Sequence, residues 1–556
     1  MRTIVKLLVI TGCLSLAPAL CAAQSQAASH IPAVAHAISP PLRNYAGGNR
    51  TWMPGPPPRL MLRPLKPGAG GGTHSGGGGG GSWSDQDLQT TPYSANYTLD
   101  SLFQGQGFTG AMPPDTNLAV GINNGTTQIV QGVNTSVAMY QTNGTLLLSG
   151  DLGLSLFAYL PATANCNANM DGGDVIVKWD QLDGRWIFSQ LAYNSTFSQN
   201  DLCLAISETS DATGSYFLYD ISFGGDVPDY PKLAIWGDGI YFSANMFHIT
   251  VNAITGRVSS KFLGARACSF PRPIIDPSNP TNPPDVSMTC SAGNNTAVYN
   301  ILPADLDGST TAPTTAGDYY LQFAQNLTAT SGNQLDVYQL QSGNLVSLGT
   351  LPVSTYNEAC GGSTCIPQSG TTQQLDSLGD RLMYRLSYRN YGSSQAMVVN
   401  HSVQVSSSGN QTGIRWYRLC GTGNAATPFT VCSQSTFSPD STTYRWMGSI
   451  AQDHAGDLAL GYSTSSSAIY PSITITGNEP GEDGMENELQ ILKGPNFQDT
   501  YNRWGDYSAM AVDPKDDCTF WYTTEYSTTT NVFGIDNFFW GTAIGSYHFP
   551  SCNPNP

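Results

Sequence analysis

The constraint that bears hardest on this chain is a unit that recurs along most of its length. Each copy opens on a polar, often Asp-bearing stretch and runs into an apolar strand. It then turns at Gly, Asp or Asn and returns as an aromatic-rich strand. The openings are Pro113-Pro114-Asp115-Thr116, Gly173-Asp174-Val175-Ile176, Asp229-Tyr230-Pro231-Lys232, Leu375-Asp376-Ser377-Leu378, Arg445-Trp446-Met447-Gly448 and Arg503-Trp504-Gly505-Asp506. They follow one another at about 59, 55, 147, 70 and 58 residues. A weaker opening, Pro303-Ala304-Asp305-Leu306-Asp307-Gly308, divides the long gap and brings the expectation to seven units. Each unit is long enough for a four-stranded blade, and radial repetition protects the edges of many short strands that have no helices to cover them. The expected fold is all-β, a seven-bladed β-propeller. Six or eight blades, or a pair of stacked sandwiches, are the alternative closures.

The N-terminus reads differently. Arg2 and Lys6 precede an apolar run, Leu7 to Leu20, and a small-residue stretch, Cys21-Ala22-Ala23, so residues 1–23 are expected to be a signal peptide. That run is too short for a membrane span, and no other stretch approaches one. Residues 24–98 hold Pro54-Gly55-Pro56-Pro57-Pro58-Arg59 and a glycine tract from Gly68 to Gly81. Such a segment buries little apolar surface, so a disordered Pro/Gly-rich linker or pro-region is expected there, with the propeller body at 99–556.

Ten cysteines remain after the signal, as near neighbours in sequence: Cys166 and Cys203, Cys268 and Cys290, Cys360 and Cys365, Cys420 and Cys432, Cys518 and Cys552. None shows zinc spacing, so disulfides in sequential pairs are expected, in a secreted or periplasmic protein. Only 11% of residues are charged and the net charge is −17, without basic clusters, which argues against nucleic acid or an anionic membrane as partner. No serine-hydrolase, zincin, P-loop or dinucleotide motif is present.

The runs PPDTNLAVG, KWDQLDGRWIFSQ, DYPKLAIWGDGIYFSANMF, RWMGSIAQDHAGDLALGYS and RWGDYSAMAVDPKDDCTFWYTTEY resemble a group of large exported bacterial proteins, the sialidase-like β-propellers. The resemblance spans about residues 108 to 550. It implies the fold far more than a reaction, and the Asp-box of true sialidases is missing. Their arginine triad, nucleophilic tyrosine and acid are therefore not carried over.

If each opening begins an innermost strand, its leading residues surround one mouth of the central channel. Asp229, Asp506 and Asp174 are the candidate catalytic carboxylates, since glycoside cleavage needs one acid to protonate the leaving oxygen and another to attack or activate water. Asp115, Tyr230, Lys232, Arg445, Trp446, Arg503, Trp504 and Tyr507 are candidate ligand-binding residues, the aromatics as platforms for sugar faces. The plainer roles are Asp bonding turn amides and Trp packing between blades. Arg385 and Arg389 share one face of the run Leu382 to Arg389 and could hold a sugar carboxylate. Ion pairs with local acids such as Asp380 are the structural alternative. His401 could donate a proton, although nothing in the sequence orients it. The turns Asp305 to Gly308 and Asp513 to Asp517 suggest calcium as a cofactor, while ordinary Asx turns explain them equally well.

Two functions follow. One is a secreted propeller that binds an extracellular polysaccharide or glycoconjugate at the channel mouth, with cleavage left open. The other is a non-catalytic adhesion or scaffold propeller.

Overall fold

The structure is a computed structural model. It describes residues 28–45, 59–60, 84–167, 171–252, 255–272, 286–293, 295–311, 317–324, 331–406, 410–425, 428–499, 501–532 and 535–552. The expected signal peptide at 1–23, the Pro-rich piece at 54–58 and the glycine tract lie outside the described residues.

Strands follow one another as antiparallel four-strand groups. The first is Asn117–Asn123, Thr126–Val133, Ser136–Gln141 and Leu146–Asp151. The second is Asp171–Asp180, Arg185–Tyr193, Asn200–Ser207 and Tyr216–Ser222. Later groups lead with Asp226–Ile235, Leu302–Asp307, Met383–Asn390, Tyr444–Gln452 and Ala509–Val512. The last group is completed by an N-terminal strand, Thr98–Gly107, which pairs with Ile535–His548. The leading strands touch in chain order, and the last returns to the first, so they close a ring. Two of them, Leu302–Asp307 and Met383–Asn390, pair in parallel from Ala304↔Leu386 to Asp307↔Arg389. This is β-propeller organisation.

Packing explains the spacing of the repeats. Large hydrophobic cores lie between consecutive sheets. Val130, Val137 and Met139 of the first meet Val177, Trp186 and Phe188 of the second, and Ile176, Leu202 and Ile221 of the second meet Leu233, Ile240 and Phe242 of the third. Sheets covered on both faces need side chains that bury on both, which is why the inner strands are long apolar and Ser/Thr runs. Contact is close enough to demand glycine at two places. A Cβ on Gly121 would lie 2.5 Å from Trp179, and one on Gly461 would lie 2.5 Å from Tyr522.

All five cysteine pairs form disulfides as the sequence spacing suggests: Cys166–Cys203, Cys268–Cys290, Cys360–Cys365, Cys420–Cys432 and Cys518–Cys552. They fit an oxidising extracellular or periplasmic setting. Among the described residues no helix is long and apolar enough to cross a membrane.

The arm differs from expectation. Ser29–Pro32 pairs with Ser287–Cys290, Ala35–Ile38 extends the second sheet beside Tyr216–Ser222, and Leu88–Gln89 runs parallel to Thr436 and Phe437. These short stretches are hidden in a Gly/Pro-rich average, yet they supply backbone donors and acceptors to outer strands that would otherwise be open edges.

Candidate functional site at the ring mouth

The opening residues do converge. Five leading strands carry or follow a residue in the left-handed backbone region: Asp115 (φ 50°), Asp174 (φ 53°), Tyr230 (φ 55°), Asn300 (φ 48°) and Met447 (φ 56°). In the second, third and sixth groups the ladder register shifts at that point, between Gly173 and Ile176, Asp229 and Lys232, and Trp446 and Ser449. Such bulges re-aim side chains, and left-handed non-glycine residues are held only where the surroundings fix them. The chain thus turns its opening residues toward the ring axis.

Asp115 is fully buried. Its Oδ2 accepts from Asn134 Nδ2 at 2.6 Å and its Oδ1 from the backbone N–H of Asp506 at 2.6 Å. Burial, then the neighbouring Asp506 and Asp174, push its carboxyl well above the usual range. Asp506 pairs with Arg503. Glu525 accepts from the Gly505 N–H, and burial raises its carboxyl as well.

Asp174 and Asp229 stand apart from the others. They keep the most exposure of the cluster, 6% and 7%, and no hydrogen bond reaches either carboxyl group among the described residues. Burial, then Asp229 and Asp506, push Asp174 up to about 8. Burial, then Asp506, push Asp229 up to about 7, against the pull of Arg381, Arg503 and Lys232.

Lys232 completes the cluster. Its Nζ donates to the Pro231 carbonyl at 2.8 Å and sits 3.3 Å from the centre of the Tyr230 ring and 4.5 Å from that of Tyr507. Burial pushes the ammonium down to about 7. Tyr230, Tyr507 and Tyr384 fill the ring below it, with Tyr507 centred 6.2 Å from Tyr230 and 5.9 Å from Tyr384.

Asp174, Asp229, Asp506, Asp115, Tyr230, Lys232, Arg503 and Tyr507 therefore come together as their positions suggest. The other candidates do not. Arg445 is consumed locally by Asp440 at 2.6 Å and Glu488 at 2.7 Å. Trp446 and Trp504 are fully buried against Ile366, Leu375, Leu378 and Met383, so they are core and offer no open sugar platform. Arg385 and Arg389 lie farther along their strand. Arg385 bonds Asp305 at 2.6 Å and Asp307 at 2.5 Å, and Arg389 grips Asp517 through two bonds of 2.7 Å. Asp380, which sequence proximity offers to these two arginines, pairs with Arg381 at 2.9 Å instead. His401 is buried, bonded to Tyr417 at 2.9 Å and held well below its ordinary value by burial.

Both carboxylate turns are spent on the protein itself. Asp305 and Asp307 neutralise Lys178 and Arg385, Asp513 and Asp516 accept backbone N–H groups of their own turns, and Asp517 holds Arg389. Lys178, Asp305, Asp307, Arg385 and Asp517 line a small cleft at that end of the ring.

Three members of the mouth were missed from sequence: Arg381, Glu525 and Asn134. Arg381 lies two residues before a leading strand, and its Cζ sits 4.7 Å from the centre of the Tyr230 ring. Its place after Asp380 was the available signal. Glu525 comes from a second strand and Asn134 from the turn just after one, where no repeat position marks them.

No family model and no curated protein matches the chain by sequence. Among solved structures it is similar to an α-L-arabinofuranosidase from Fusarium graminearum, with 8% identity, 81% of this chain and 97% of that one covered, and a TM-score of 0.34. It is also similar to an α-L-arabinanase from Penicillium chrysogenum (9%, 84% and 98%, TM-score 0.30) and to a Trypanosoma rangeli sialidase (8%, 73% and 57%, TM-score 0.32).

Proposed function

We propose that the protein is an exported seven-bladed β-propeller that binds an extracellular polysaccharide or glycoconjugate at the ring mouth and cleaves it by acid–base chemistry. The count of seven is supported by the seven leading strands that touch in order and close on themselves. Export is supported by the five disulfides and by the reading of residues 1–23.

One observation carries the chemistry. Asp174 and Asp229 are neighbouring carboxyl groups that take no hydrogen bond among the described residues, poised at about 8 and about 7, beside an ammonium lowered to about 7. Groups that exchange protons near neutrality are what general acid–base catalysis requires. Asp506, held by Arg503, is the further acidic group that raises both. Asp115 and Glu525 hold the backbone of residues 505 and 506 in place.

The second reading, a non-catalytic scaffold or adhesion propeller, is favoured by the near-complete burial of the same carboxyls. A glycan turnover screen of the full chain from pH 3 to 8, beside Asp174→Asn and Asp229→Asn, separates the two. Under the proposal, wild type releases product and each substitution lowers turnover by about 10²-fold or more with folding intact. Glycan binding without turnover, equal in all three proteins, would leave the scaffold reading standing.

A further inference from the structure

The second sheet carries a buried polar site away from the mouth. Register places Gln190 opposite Cys203, Cys203 opposite Asp220, and Ala192 opposite Asp201. Residues two apart on a strand share a face, so Gln190, Asp201 and Asp220 all lie on one. That face packs toward the first sheet, where Ala192, Cys203, Ala205 and Leu218 share a core with Val130 and Val137. Asp201 sits diagonally between Gln190 and Asp220, within side-chain reach of both.

All three are sealed from solvent, Gln190 at 1% exposure and both aspartates at 0%. Asp220 Oδ2 accepts from the Cys166 N–H at 3.2 Å, and Asp201 Oδ2 from Gln199 Nε2 at 3.4 Å. Among the described residues no donor reaches Asp201 Oδ1, Asp220 Oδ1 or Gln190 Oε1. The two carboxyls face each other closely enough to hydrogen-bond when one is protonated, and among the described residues these three buried oxygens receive no other donor. Facing carboxylates out of water need a counter-charge. The three unpartnered atoms are all oxygens, the donor type a hard divalent cation takes. The covering segment is fixed by the Cys166–Cys203 disulfide and by Asn165 Nδ2, which donates to the Ala192 carbonyl at 3.1 Å.

We propose that Asp201, Asp220 and the side-chain carbonyl of Gln190 bind one calcium ion inside the second sheet. Two carboxylates give the affinity of an extracellular structural site, about 10⁻⁴ to 10⁻³ M, filled in a calcium-rich medium and empty in a chelator.

The test is calorimetric titration of the calcium-stripped full chain with CaCl₂, alongside thermal unfolding in EDTA and in calcium. Expected are a site lost in Asp201→Asn and weakened several-fold in Gln190→Met. At a hundredfold excess of calcium over Kd, the wild-type Tm should rise by about 3–5 °C. Gln190→Met keeps both carboxylates and the side-chain volume, so it reports on the site even where Asp201→Asn fails to fold. A shared proton is the rival occupant. Wild type that binds no calcium, with a Tm indifferent to EDTA, would overturn the proposal in its favour. Calcium binding unchanged in both variants would overturn it too, by placing the ion elsewhere.

Discussion

At the mouth of the ring, five carboxyl groups meet three cationic side chains, and burial raises four of the five. Farther along the same strands, Lys178 and Arg385 bracket Asp305, Arg385 reaches on to Asp307, and Arg389 grips Asp517. There the two cations hold Asp305 below its ordinary value even though it is fully buried. Both ends lie on the ring of leading strands and both bury charge. At one end the charges are matched pair by pair, and at the other some carboxyls are left to titrate. The matched end ties four leading strands together: Lys178, Asp305 and Arg385 come from three of them, and Arg385 also donates to the Met510 carbonyl of the last group. The unmatched end holds strain and unpaired acids that a purely structural ring would not need. On that difference rests the proposal that the mouth is the site.

The largest effect should come from breaking the matched end. Arg385→Met leaves the buried Asp305 with Lys178 as its remaining ion-pair partner, and removing one partner of a buried pair costs about 3–5 kcal/mol. Chemical denaturation should show that loss at pH 7 with an unchanged m-value. A loss near zero would erase the contrast between the two ends.

Substitution at the mouth should act in the opposite sense. Asp174→Asn removes a carboxyl that burial and like charges disfavour, so at pH 8 it should be neutral or stabilising by about 1 kcal/mol, falling to nothing at pH 4. The sign follows from linkage. Asp174 and Asp229 are raised from 3.8 to about 8 and about 7, so the folded state holds their protons more tightly than the unfolded chain. Their stabilising contribution is complete below about pH 4 and is lost as pH rises to 8. Lys232, lowered from 10.5 to about 7, contributes fully above 10.5 and loses that contribution as pH falls through 7. Wild-type stability should therefore decline from pH 4 to about 7–8 and recover above it, and Asp174→Asn should flatten the decline. A wild-type profile flat across pH 4–8 would count against the titrating mouth.

Much of this contrast was legible beforehand. The openings at Asp115, Asp174, Asp229 and Arg503 were visible because a ring repeats its inner strand, and repetition survives in sequence when the outer strands drift. Arg385 and Arg389 were visible as a pair on one strand face. Their partners were not, because Asp305 comes from the neighbouring group and Asp517 from the last, joined to them only by ring closure. The tryptophans misled for a physical reason: an opening position fixes a residue near the mouth but does not say which side of the strand it faces. Trp446 and Trp504 face the cover formed by Ile366, Leu375 and Leu378, and the sugar platforms expected of them do not exist. The arm was misread because two four-residue strands carry no periodic signal of their own until an edge is there to receive them.

The smallest effect expected within the matched end is at Asp517. Its carboxylate accepts two bonds from Arg389 and is 28% exposed, whereas the Arg389 side chain is only 3% exposed. Asp517→Asn keeps one hydrogen-bond acceptor in place and removes the charge. Arg389 retains the Gln452 carbonyl at 3.1 Å and the nearby charge of Asp307. Partial exposure screens the lost attraction, so the substitution should cost about 1 kcal/mol, well below Arg385→Met. The comparison sharpens if the double variant, Arg385→Met with Asp517→Asn, exceeds the sum of the singles. Both arginines draw on Asp307, so removing one anion raises the demand on the other, and residues sharing a partner should not add. Strict additivity would instead mean that the matched end is two independent pairs on adjacent strands, and its tie across the ring would rest on Arg385 alone.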